Sequence, residues 1–180
     1  MKKIKYFLQF LIIIFLFFIY KILGLKNSLM ISGNIFSFLG PLFRSKKICE
    51  KNLSYAFPNI SKRESDKIIK KMWNNYGKIF AEYSFIKNFR SSKLDNCFIE
   101  VENQKYLEEI KQEQKPVIFI SGHFDNFELM AMHIEKSGID LAAIYRPLNN
   151  FFLNPLMENI RRKYICKKQI KKGISGTKEL

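Results

Sequence analysis

The chain has 180 residues, enough for one domain with a hydrophobic core. Its 31 Lys and Arg against 16 acidic residues leave a net charge of +15, which favours anionic partners such as phospholipid headgroups, nucleic acid or an acidic carrier protein. The three cysteines, Cys49, Cys97 and Cys166, are widely spaced and odd in number. They suggest neither a disulfide framework nor a zinc site, so they read as packing residues of a reduced, cytosol-facing protein.

The first 25 residues, MKKIKYFLQFLIIIFLFFIYKILGL, place Lys2, Lys3 and Lys5 before an apolar run from Tyr6 to Tyr20 that only Gln9 interrupts. Counted on through Leu25, the segment approaches the ~20 residues of a spanning helix. A secretory signal also starts basic and apolar, but no small-x-small cleavage pattern follows, which favours an uncleaved membrane anchor over residues 1–25. Two core helices are the bland alternative, disfavoured by so continuous an apolar run. The basic start argues for a cytoplasmic N-terminus. Lys21, Lys26, Lys46 and Lys47 on the far side suit a helix that dips into one leaflet and leaves the body cytoplasmic. Residues 29–43, LMISGNIFSFLGPLF, are too short and too broken by Gly33, Gly40 and Pro41 to span, and read as an interfacial element.

The domain proper, 26–180, turns amphipathic from Arg44. Ser61 and Glu64 have capping-box spacing and open a helix through Ile68, Ile69, Met72, Trp73, Tyr76, Ile79 and Phe80. Cys97–Val101 reads as a short strand and Asn103–Gln114 as a charged helix. Next, VIFI (117–120) has the look of a buried parallel strand. A helix is expected from about Asn126 to Lys136, stopped by Gly138, followed by a strand at LAAIY (141–145). Strand, helix and strand make a βαβ unit, hence an α/β fold. A basic helix is expected after Arg161. The tail KKGISGTKEL offers Ser175 or Thr177 as a cap with no helix behind it, and so few strands suggest an incomplete sheet and a truncated chain.

His123 follows VIFISG, where sites of open α/β sheets lie. Gly122 permits a sharp turn, and the helix N-terminus offers free N–H groups to an oxyanion or phosphate. A histidine there can take a proton from a hydroxyl, and a carboxylate on its other ring nitrogen would fix its tautomer. No G-x-S-x-G elbow supplies a nucleophilic serine, so the dyad would activate the substrate's own hydroxyl. Two readings of Glu128 stay open. It is the partner of His123, or it closes a capping box with Asp125, leaving His123 a turn histidine bonded to backbone. His133, in the helix body, reads as a half-buried surface residue.

The segment GHFDNFE is similar to the H-x-x-x-x-[D/E] motif of glycerolipid acyltransferases, and its form resembles the bacterial lipid A biosynthesis acyltransferases. NLSYAFP (52–58), W-x-x-Y-G (73–77) and Glu82 resemble that family's upstream block, while YRPLNN (145–150) and Arg161 resemble its downstream block. The resemblance covers the anchor through about residue 165. It implies an N-terminal membrane helix followed by an αβα acyltransferase-type sheet. It also implies transfer of a fatty acyl chain from an acyl carrier protein or acyl-CoA thioester to a hydroxyl of a lipid A precursor, at the cytoplasmic face of the bacterial inner membrane. His123 is then general base, Glu128 its partner, and Arg161, Asn126 and Arg146 substrate-binding residues. No metal or cofactor is implied, because the thioester carries the activation. Partners would be the acyl carrier protein, an anionic glycolipid acceptor and membrane phospholipids. Two departures stand out: Asp125 where glycine is usual, and Phe127 where tryptophan is usual. RRKYICKKQIKK (161–172), with seven cations in twelve positions, could meet acidic groups. The alternatives are acylation of another glycolipid or a lysophospholipid, or a basic membrane-anchored protein that binds anionic lipid without catalysis. Nucleic acid is disfavoured, since no helix-turn-helix, zinc finger or RNP-like signature occurs.

Overall fold

The computed structural model describes residues 2–43, 45–91 and 99–178. In chain order these form α1 (Lys2–Phe43), α2 (Lys46–Ala56), α3 (Lys62–Glu82), a 3-10 turn (Tyr83–Phe85) and α4 (Ile86–Ser91). Then follow α5 (Lys105–Glu113), α6 (Glu128–Lys136), β1 (Ala142–Tyr145), α7 (Leu153–Tyr164), β2 (Lys168–Lys171) and α8 (Ile174–Thr177). The chain divides into two compact units, one of Leu16–Phe85 and one of Met1–Phe15 with Ile86–Leu180.

In the first, α1 is broken at Gly24, whose φ of 74° and ψ of 168° no other residue type adopts readily. The Ser28 hydroxyl answers the break, lying 2.7 Å from the Gly24 carbonyl and 2.9 Å from that of Tyr20, so it can donate to either. Beyond the break the helix runs unbroken through the stretch read as interfacial, and Gly33 and Gly40 serve close packing. A Cβ on Gly40 would stand 2.1 Å from the Trp73 ring, and one on Gly77 of α3 would stand 2.3 Å from the Ser32 carbonyl oxygen. The Ser32 hydroxyl donates to the Gly77 carbonyl at 2.6 Å across that seam. The α3 helix begins as expected: Ser61 Oγ accepts from the Glu64 N–H and Glu64 Oε2 accepts from the Ser61 N–H, both at 3.2 Å. The Ser61 hydroxyl, which donates to Glu64 Oε2 at 2.7 Å, and after it the Ser61 N–H hold the Glu64 carboxyl below its ordinary range. Its buried stripe Ile69, Trp73, Gly77 and Ala81 repeats every fourth residue, and Ile69 and Trp73 pack with Cys49 of α2. Residues 2–42 are the one stretch among those described that is long and apolar enough to cross a membrane, with a window of mean hydropathy 2.4 that is only 6% buried.

In the second unit, Arg90 of α4 ties two helices together. Its guanidinium donates to the Tyr164 carbonyl of α7 at 3.2 Å and to Glu135 of α6 at 2.5 Å. The sheet described has two strands, β1 and β2, parallel and in register from Ala142 opposite Lys168 to Tyr145 opposite Lys171. The β-α-β unit therefore exists, but through α7 and not through α6. Three expectations need correction. Residues 117–120 are not in a ladder, and Ile118 and Ile120 are 87% and 91% exposed: an apolar run becomes a strand only where another strand offers it hydrogen bonds. The basic stretch after Arg161 is helical only to Tyr164, and 168–171 is strand. Burial of Cys166, Gln169 and Ile170, with Cys166 Sγ donating to the Leu141 carbonyl at 2.8 Å, draws it against β1. Of the strand read at 97–101, residues 99–101 carry no regular structure and the rest lie outside the described residues. By contrast α5 and β1 fall where expected, α6 ends at Lys136 as expected, and Gly138 follows at φ 93°. A four-residue α8 occupies the tail where no helix was expected.

Candidate active site

Four of the five residues singled out at the sequence level, all but Asn126, converge in the second unit on one cavity of about 380 Å3. His123 reaches it from the loop before α6, Glu128 from the first residue of α6, Arg146 from the residue after β1, and Arg161 from the third turn of α7. Phe127, Met130, Ala143, Ile144 and Ile165 form its apolar wall.

The approach to α6 differs from the capping box that Asp125 and Glu128 could have made. Asp125 lies in the left-handed region at φ 48°, and no side-chain oxygen caps α6, which begins after Phe127. Glycine adopts that conformation most readily, and aspartate is among the few other residues that tolerate it. Asn126 is 8% exposed and is not among the residues that line the cavity. Glu128 then enters the helix with its side chain turned inward, 7% exposed as a residue.

The expected dyad is not hydrogen-bonded. Glu128 Oε1 accepts from Arg161 Nε at 2.9 Å and from its terminal nitrogen at 2.7 Å, while Glu128 Oε2 is buried with no hydrogen bond. His123 is exposed, its ring edge-on to Phe127 with centroids 4.3 Å apart. Both line the same cavity, so the carboxylate is fixed by arginine and the imidazole waits beside it. Arg161 also stacks over Tyr145, its Cζ 5.9 Å from the ring centre. Burial, with the Glu158 carboxylate a lesser cause, pushes the Tyr145 hydroxyl above its ordinary range and keeps it neutral. Gln169 of β2 was missed. Its Nε2 donates to the Cys166 carbonyl at 3.0 Å, and its Oε1 is buried beside the cavity without a hydrogen bond. The only signal for it was the uncharged pair Gln169-Ile170 inside a lysine run, which reading 161–172 as a helix concealed.

The arrangement suits chemistry on an apolar substrate carrying a hydroxyl. It has a greasy wall, an exposed imidazole, two guanidinium groups for anions, and a carboxylate oxygen with an unused lone pair. That combination is compatible with acyl transfer to a hydroxyl, and comparison with known families supplies the class. The family described as bacterial lipid A biosynthesis acyltransferase matches residues 1–173, and the chain belongs to it. Its general function is therefore of the lipid A acyltransferase type. No curated protein and no solved structure matches the chain.

Proposed function

We propose that the chain moves a fatty acyl group from an acyl carrier protein thioester to a hydroxyl of a lipid A precursor, at the cytoplasmic face of the bacterial inner membrane. The observation that carries this reading is the meeting of His123, Glu128 and Arg161 on one apolar-walled cavity. His123 takes the proton of the acceptor hydroxyl as its oxygen attacks the thioester carbonyl carbon. Collapse of the tetrahedral intermediate breaks the C–S bond, and the departing thiolate takes the proton from the imidazolium. Glu128 Oε2, held by the grip of Arg161 on its sister oxygen, becomes the acceptor for the other ring N–H of His123, a contact that forms when substrate fills the cavity. Arg146 and the outer edge of Arg161 meet the phosphates of the acceptor, with Asn126 supporting the loop. The thioester supplies the activation, so no cofactor enters any step.

The test is transfer of a labelled acyl chain from its carrier protein to a tetraacylated lipid A precursor by detergent-solubilised protein. His123→Ala is expected to slow transfer by about 10²–10⁴-fold. Equal transfer by wild type and variant would sink the mechanism. Transfer to a lysophospholipid and not to the precursor would replace the acceptor.

A further inference from the structure

Gln9 is the one polar side chain in the apolar run of α1, and the proposed chemistry gives it no task. It has a partner. Asn150, 9% exposed, donates its Nδ2 to the Tyr6 carbonyl at 2.9 Å and toward Gln9 Oε1 at 3.4 Å. The other end of the same amide, Oδ1, accepts from the N–H groups of Phe152 and Leu153 at 3.1 and 3.2 Å. It thereby caps α7, whose own N-cap residue, Phe152, offers no side-chain bond. Three ring contacts surround this clasp: Tyr6 with Phe151, and Phe7 and Phe10 with Phe152, at centroid separations of 5.8, 5.4 and 6.4 Å. The first fifteen residues accordingly belong to the same compact unit as the cavity.

One buried amide thus joins the start of α7 to the apolar helix. The same α7 carries Arg161 to Glu128, and the loop that Asn150 ends begins with Arg146 on the cavity wall. We propose that Gln9 and Asn150 are positioning residues of the acyl-transfer site: the helix read as an anchor also sets the seat of α7 and so the placing of Arg161 and Arg146. An anchor without this task would have no use for a glutamine among leucines, isoleucines and phenylalanines, where a polar amide needs a partner. The proposal rests on the acyltransferase reading above, and its test separates the two.

In Gln9→Leu with Asn150→Asp, the carboxylate still caps α7 but nothing donates to α1 and nothing on Gln9 can answer. In Gln9→Lys with Asn150→Asp, an ion pair restores the link. The first variant is expected to stay in the membrane fraction but to melt below wild type, because a buried carboxylate then faces the Tyr6 carbonyl without a cation, so turnover is read well below its melting temperature. Its kcat should fall roughly ten- to hundred-fold at little-changed KM for the carrier thioester, as a misplaced reacting group does. The second should recover most of that loss. Wild-type turnover in the first variant, or no recovery in the second, overturns the proposal. A third variant, Gln9→Cys with Asn150→Cys, is treated with a short bifunctional thiol reagent, and the 9–150 link is sought by peptide mass. A link that forms in the variant while wild type itself shows no transfer activity leaves the clasp standing and removes the acyltransferase reading. Absence of the link overturns the clasp.

Discussion

Replacing Arg161 with methionine isolates the most consequential pair in the cavity. The Glu128 and Arg161 side chains are 9% and 16% exposed, and Oε1 takes both hydrogen bonds while Oε2 takes none. In Arg161→Met the carboxylate stays buried with its counter-charge gone. Breaking a buried pair from one side costs about 3–5 kcal/mol, and we expect the lower end, about 3, because the adjoining cavity admits water to the abandoned oxygen. For a chain of this size that corresponds to a fall in melting temperature of about 6–12 °C. The double variant Arg161→Met with Glu128→Leu removes both charges and should return to within about 1 kcal/mol of wild type. Thermal unfolding in detergent, followed by circular dichroism at neutral pH, reads all three. A single variant that melts with wild type, or a double variant no better than the single, would refute the idea that arginine compensates a buried carboxylate here.

The seam between Ser32 and Gly77 should tolerate no side chain. Gly77→Ala puts a Cβ 2.3 Å from the Ser32 carbonyl oxygen, so overpacking is expected to cost about 1–3 kcal/mol, read by the fluorescence of Trp73 one turn away on thermal unfolding. Ser28→Ala strips the hydroxyl that serves the carbonyls exposed by the break at Gly24, and about 1 kcal/mol should be lost in the same measurement. His133 gives a pH signature. Burial first, and Lys136 second, lower its pKa, so the folded protein holds it neutral at pH values where the unfolded chain would bind a proton. Its contribution to stability is whole above about pH 6.5, the unfolded value, and is lost as pH falls toward the lower folded value. The melting temperature should therefore decline below neutrality, and His133→Leu should flatten that decline.

How legible all this was varies element by element. The start of α3 could be read directly, because a capping box is local, but of its buried stripe only Ile69 and Trp73 were expected: Gly77 and Ala81 were not, and Ile68 and Tyr76 are exposed. The end of α6 was equally plain from Gly138. Glu128 and Arg161 were each singled out, yet their partnership was not. It joins residues 33 apart in sequence, and only the seating of α6 beside α7 brings them together. The β2 strand was hidden for the converse reason. KQIK is too short and too charged to announce a strand, and it becomes one because β1 offers an edge and Cys166 and Ile170 find cover. VIFI has the stronger local preference and no ladder, since pairing, not preference, makes a strand.

The break at Gly24 bears on length. Forty-two helical residues without interruption would measure about 63 Å, twice the hydrocarbon thickness of a bilayer. Lys2–Leu23, before the glycine, measure about 33 Å, roughly half the uninterrupted length. A single residue thus meters the rod, and it does so invisibly to any hydropathy profile. Exchanging Gly24 for alanine would leave the profile almost untouched while favouring a continuous rod with a large hydrophobic mismatch, of the kind that tilts helices and sorts proteins between membranes of different thickness.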